Sequence, residues 1–151
     1  MFSAVIEDRK APFSLGGRSM GARAAVMAAT EATKHLVLIS YPLHTGDQVR
    51  DQILLDISPS VKVIFVSGDR DSMCDLTRLD LVRSKMRCQT WRIATEGADH
   101  GMDMRPKKFT EAVGIKTGEV VAEWIQRSDH TQDEKGGSYV VRTGRSNGQA
   151  G

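Results

Sequence analysis

The sequence is poor in features that would tie it to a special compartment or an obvious partner. It holds only two cysteines, Cys74 and Cys88, and they do not form a CxxC pair. They read as reduced thiols of an intracellular protein rather than as a disulfide framework. Aromatic residues make up 5% of the chain, and no Lys/Arg block is interleaved with them. The formal net charge is only +2, so nothing implies direct contact with nucleic acid. No apolar run approaches the roughly 20 residues of a membrane span. The start, Met1-Phe2-Ser3-Ala4-Val5-Ile6-Glu7-Asp8, lacks the basic opening and apolar core of a secretory signal. A cytoplasmic protein is therefore expected. There are no internal repeats, and no residue pattern calls for a metal or a cofactor, so none is expected.

What is present is ordinary for a globular protein: 151 residues suit one domain, with 40% hydrophobic and 26% charged residues. Pro12-Phe13-Ser14-Leu15 reads as a short buried strand that stops at a turn on Gly16-Gly17. Ala22 to Thr33 is rich in Ala, with Val26 and Met27, which predicts a helix whose small side chains let it lie close to a sheet. Leu36-Val37-Leu38-Ile39-Ser40 and Val61-Lys62-Val63-Ile64-Phe65-Val66 read as strands covered on both faces. A helix is expected from about Asp75 to Met86, a strand at Thr90-Trp91-Arg92-Ile93, and a last helix from about Thr117 to Arg127. Residues 1–9 read as a loop or the tail of a helix. Strands and helices alternate, so the fold class is α/β: a mostly parallel sheet of about four strands with helices on both faces. Residues 1–127 are taken as the domain. Residues 128–151 are polar and Gly-rich and are expected to be disordered.

The chemistry is carried by Gly17-Arg18-Ser19-Met20-Gly21. A nucleophilic serine must stand on a sharp strand-to-helix turn with its hydroxyl clear of its own backbone, and Gly17 and Gly21 flank Ser19 where a Cβ would clash. The helix that follows turns its free N–H groups toward developing negative charge, with Met20 N–H as the oxyanion donor. A phosphate-binding loop needs Lys-Ser or Lys-Thr after the last glycine, whereas Ala22-Arg23 follows. This elbow resembles that of the α/β-hydrolases, and the chain is expected to be the C-terminal half of such a fold.

Serine is a weak nucleophile without a base, and in this fold the chain order is Ser, then an acid, then His. Of the four histidines, His100 sits in the Gly-flanked loop Gly97-Ala98-Asp99-His100-Gly101, between the fourth strand and the last helix. The acid is expected after the third strand, in Gly68-Asp69-Arg70-Asp71; Asp71, deeper in the loop, is preferred to Asp69. The expected substrate is a small ester or related acyl compound.

The segments Gly16–Arg23, Ser40-Tyr41-Pro42-Leu43-His44, Val66–Asp71 and Gly97–Gly101 together resemble a branch of α/β-hydrolases similar to dienelactone hydrolase. That branch includes the hydrolase-like domain of a regulatory subunit of the NSL histone-acetyltransferase complex and a testis-expressed homologue. The resemblance spans about residues 4–127 and implies Ser19, Asp71 and His100 as the triad. It also implies an alternative: an inactive hydrolase-like interaction domain, with a nuclear rather than cytoplasmic location. The family fold places several strands before the elbow strand, and only about a dozen residues precede it here. The N-terminal half is therefore expected to be missing, leaving an exposed sheet edge open to a protein partner or to self-association.

Overall fold

The structure, a computed structural model, describes residues 13–45, 47–128 and 136–142. Four parallel strands come from the apolar runs: β1 (Phe13–Arg18), β2 (Thr33–Ile39), β5 (Lys62–Gly68) and β6 (Gln89–Thr95). A fifth, β7 (Gly137–Val141), lies beside β6, giving a five-stranded sheet in the order β1-β2-β5-β6-β7. Two short strands, β3 (His44–Thr45) and β4 (Gln48–Val49), pair antiparallel outside it. The helices are α1 (Met20–Ala28), α2 (Gln52–Leu55), α3 (Leu76–Lys85) and α4 (Thr110–Ser128).

The period of two along each central strand divides the core into two layers. Leu36, Leu38, Val63 and Phe65 point to one face, where Ala22, Ala25 and Val26 of α1 and Leu79 and Val82 of α3 cover them. Ile64, Val66, Trp91 and Ile93 point to the other, under Val113 and Trp124 of α4. Trp91 and Trp124 meet edge to face at 5.4 Å, and His35 packs on Trp124 at the same distance. Such aromatic pairs add specific geometry to the burial of large apolar area.

Several expected boundaries move, each for a local reason. The first strand does not stop at Gly16-Gly17. Both glycines pair with Val37 and Leu38 inside the sheet, and the turn is confined to Ser19. Pro12 and residues 1–9 lie outside the described residues. Helix α1 ends at Ala28, short of Thr33. There the Thr33 hydroxyl accepts from Thr30 N–H at 2.9 Å and the Thr30 hydroxyl from Ala32 N–H at 3.2 Å, side-chain bonds that compete with the helix ladder. Helix α4 begins at Thr110 rather than Thr117. Gly114 and Gly118 weaken its sequence signal, yet a Cβ at either would meet nothing within 4 Å.

The expectation of a disordered tail is corrected at residues 137–141, which form β7; residues 129–135 and 143–151 lie outside the described residues. The Gly136-Gly137 pair marks a close approach here. Gly136 has φ +98°, and a Cβ there would lie 2.2 Å from the Thr90 carbonyl oxygen. Arg83 of α3 then anchors the strand, donating to the Gly137 carbonyl at 2.8 Å and to the Thr90 hydroxyl at 3.0 Å.

Cys74 and Cys88 are both free and buried. Burial out of water pushes each thiol up to about 11. A raised pKa leaves little thiolate near neutrality, so neither should react with a disulfide reagent such as dithionitrobenzoate at pH 8 in the folded chain. Both should react on unfolding in guanidinium; rapid reaction of two thiols in native buffer would contradict the packing.

The two elbow glycines differ in a testable way. A Cβ at Gly17 would lie 2.1 Å from the Gly21 carbonyl oxygen, whereas one at Gly21 would meet nothing within 4 Å. The sequence expectation of a clash at both positions therefore holds only at Gly17. Gly17→Ala should lower stability by about 2–4 kcal/mol. Gly21→Ala, in the first turn of a helix, should be neutral or stabilising by up to about 1 kcal/mol. Urea unfolding of the two variants measures the contrast.

Candidate active site

The site is assembled at the C-terminal ends of β1, β5 and β6, where parallel strands hand over to loops. At the end of β1 the chain turns on a single residue. Ser19 has φ 52° and ψ −117°, a region that costs a non-glycine residue about 1–3 kcal/mol. Its own N–H is tied to the Ile39 carbonyl of β2 at 2.9 Å. Its carbonyl accepts from Ala22 and Arg23 in the first turn of α1. The strain thus persists because both sides of the turn are held. The hydroxyl is left projecting beyond the sheet, while Met20 N–H opens the helix, where first-turn N–H groups have no intrahelical partner.

The loop after β5 supplies the carboxylate. Gly68 is required at its start: a Cβ there would lie 2.1 Å from the Ala98 carbonyl oxygen, so only glycine lets the two loops approach. The loops are then stitched together. Asp69 N–H donates to the Thr95 carbonyl at 3.1 Å, Arg70 N–H to the Ala98 carbonyl at 3.0 Å, and Gly97 N–H to the Asp69 carboxylate at 2.8 Å. Asp69 is therefore a strut between loops. Asp71 turns inward, its carboxylate buried, and accepts Met73 N–H at 2.8 Å. Farther along, His44 Nε2 accepts Asp75 N–H at 3.0 Å, and Asp75 caps α3 by accepting Arg78 N–H at 3.0 Å.

The loop after β6 brings the imidazole. Asp99 closes it, accepting Asp103 N–H at 3.0 Å through its side chain while its own N–H donates to the Asp103 carbonyl at 3.1 Å. From the opposite side of the site, the Arg18 guanidinium donates to the Gly101 carbonyl. His100 Nδ1 lies 2.9 and 3.0 Å from the two Asp71 oxygens, and its Nε2 lies 2.8 Å from Ser19 Oγ. A proton on Nδ1 donated to the carboxylate makes Nε2 an acceptor, so the Ser19 hydroxyl is the group that donates to it.

Ser19, Asp71 and His100 are thus contiguous although they are 29 to 81 residues apart in the chain. The carboxylate at His100 belongs to Asp71 and not to Asp69. Sequence reasoning missed the Arg18 contact and the Asp99–Asp103 staple. The spacing of two aspartates around a glycine-flanked histidine was the only signal for the staple, and nothing in the sequence marked the arginine.

A known family's profile, described as an alpha/beta hydrolase domain, matches residues 1–126. The chain belongs to that family. No solved structure matches it. The hydrolase domain has no helix among its described residues that is long and apolar enough to cross a membrane. A surface groove of about 440 Å³, lined by Met27, Thr30, Ile53, Pro59 and Arg87, lies at the far end of α1 from Ser19 and takes no part in this site.

The roles of the two aspartates separate by experiment. Asp71→Asn removes the carboxylate that orients His100, whereas Asp69→Asn leaves an oxygen able to accept Gly97 N–H. Labelling of Ser19 by a fluorophosphonate should therefore slow by a factor on the order of 10³–10⁴ in Asp71→Asn and by less than about tenfold in Asp69→Asn. Equal losses in the two variants would overturn this division.

Proposed function

We propose that this chain is a serine hydrolase of carboxylic esters or related acyl compounds, within the dienelactone-hydrolase-like branch that its motifs resemble. The observation that carries the proposal is the unbroken chain of contacts from Ser19 Oγ through His100 to the Asp71 carboxylate, at 2.8 Å and 2.9 Å. Ser19 Oγ attacks the substrate carbonyl carbon as His100 Nε2 takes the hydroxyl proton. The carbonyl oxygen becomes an oxyanion beside Met20 N–H and the positive end of α1. Collapse of the tetrahedral intermediate breaks the bond to the alcohol, which leaves with the proton from His100. Water then attacks the acyl-serine, again giving its proton to His100, and the acid departs as Ser19 regains its proton. Asp71 stays ionised throughout; it holds Nδ1–H and stabilises the imidazolium.

A second reading is favoured by one observation. Among the described residues β1 pairs only with β2, and Ser14, Gly16 and Arg18 along it are exposed. An edge strand of this kind offers N–H and C=O groups to another chain, as a non-catalytic interaction domain in a chromatin complex would require. The two readings separate on Ser19 chemistry. If the hydrolase reading is right, a fluorophosphonate labels Ser19 stoichiometrically, and Ser19→Ala and His100→Ala each remove most turnover of a p-nitrophenyl ester. The double variant should be little worse than either, because nucleophile and base act as one unit. Undiminished esterase activity in pure Ser19→Ala would defeat it.

A further inference from the structure

Ser19 and His100 meet from well-separated strands. In the order β1-β2-β5-β6 the elbow strand and the strand before the histidine loop have two others between them. At about 4.8 Å between neighbouring strands, their ends stand roughly 14 Å apart. The histidine loop is fastened on its near side, to the Asp71 loop, by the bonds of Asp69, Arg70 and Gly97. On its far side, two hydrogen bonds among the described residues join it to the elbow. One is the Ser19–His100 contact at 2.8 Å; the other runs from the Arg18 guanidinium to the Gly101 carbonyl.

These two bonds fare differently in the proposed cycle. Ser19 gives its hydroxyl proton to His100 in the first step, and as an acyl ester it has no proton to donate. Its hold on the loop is then gone, at the stage when His100 must activate water. The Arg18 bond involves no reacting atom and persists, and a charged donor makes it stronger than a bond between neutral groups. Arg18 is exposed and belongs to neither apolar layer, so packing does not explain where its side chain lies. Its guanidinium and the Asp99 and Asp103 carboxylates gather around Gly101, all within 3.5 Å of where a Cβ would stand there. The next residue, Met102, has φ 61°, a strained value that persists only where neighbours fix it.

We infer that Arg18 is a positioning residue for deacylation, holding His100 over Ser19 while the serine carries the acyl group. The inference rests on the hydrolase reading of Ser19 and adds to it a division of labour between the two half-reactions. In the second half-reaction water adds to the acyl carbon and gives a proton to His100 Nε2. The bond from that carbon to Ser19 Oγ then breaks, the acid leaves, and Oγ takes the proton back. A base misplaced by about 1 Å slows such a step by a factor on the order of a hundred.

The test is burst and steady-state kinetics of Arg18→Ala with p-nitrophenyl acetate. Its kcat should fall at least about tenfold while kcat/KM changes less than about threefold, because acylation starts with the Ser19–His100 bond in place. An acetyl-enzyme burst should appear, fluorophosphonate labelling should keep its rate, and the melting temperature should not move. Arg18→Lys should recover part of kcat. An unchanged kcat, or equal losses in kcat and kcat/KM, would overturn the inference. A second measurement needs no turnover. In Ser19→Ala the Arg18 bond alone joins the loop to the elbow, so adding Arg18→Ala should speed amide exchange at Met102 and Asp103 about tenfold. Unchanged exchange there would overturn the tie itself. Failure of the unsubstituted chain to label with a fluorophosphonate would instead defeat the hydrolase reading, and this role with it, while the exchange still decides whether Arg18 holds the loop.

Discussion

The turn at Ser19 governs the arrangement around it. A serine at φ 52° is held against its own preference, and the holding is done by backbone on both sides. Ser19 N–H is bound to the end of β2, its carbonyl to the first turn of α1, and Gly17 sits where any Cβ would strike the Gly21 carbonyl. This constraint aims the hydroxyl beyond the sheet and sets where α1 begins. It also places Met20 N–H, and one turn later Arg23, relative to the nucleophile. Strain of this size survives only where the surroundings over-determine the geometry.

A second close approach completes the site. The loops after β5 and β6 must come together for Asp71 to meet His100, and Gly68 permits it by leaving room for the Ala98 carbonyl. Asp69, Arg70 and Gly97 then lock the loops through bonds of 2.8–3.1 Å, so the orientation of His100 is a property of the paired loops rather than of its own. The Arg18 contact with the Gly101 carbonyl adds a tie across the site, from the elbow strand to the histidine loop. Most polar side chains near Ser19 thus have a positioning task.

Much of this was legible in the chain itself. The unalternating runs at Leu36–Ile39 and Val61–Val66 announced strands buried on both faces, and their burial in the sheet bears this out. Gly17-Arg18-Ser19-Met20-Gly21 announced a strand-to-helix turn because its residue types answer a local steric demand. Where local demand was mixed, the reading slipped. Two glycines inside a strand looked like its end, two glycines inside α4 hid its first turns, and the polar surroundings of Ser138-Tyr139-Val140-Val141 hid β7.

The sequence by itself determined four strands of the sheet, the three long helices, their order, the elbow, and the membership in the alpha/beta hydrolase domain family that the profile over residues 1–126 shows. These depend on short-range sterics and on hydrophobic periodicity, both of which are written in adjacent residues. Only the tertiary structure decided which aspartate faces His100, that Asp69 is a strut, that Gly136 marks a strand against Thr90 rather than a loose tail, and that Arg18 reaches the Gly101 carbonyl. Each of these is a contact between residues far apart in the chain. Such contacts are set by the register of the parallel strands and the meeting of loops at one end of the sheet, and no local pattern encodes them.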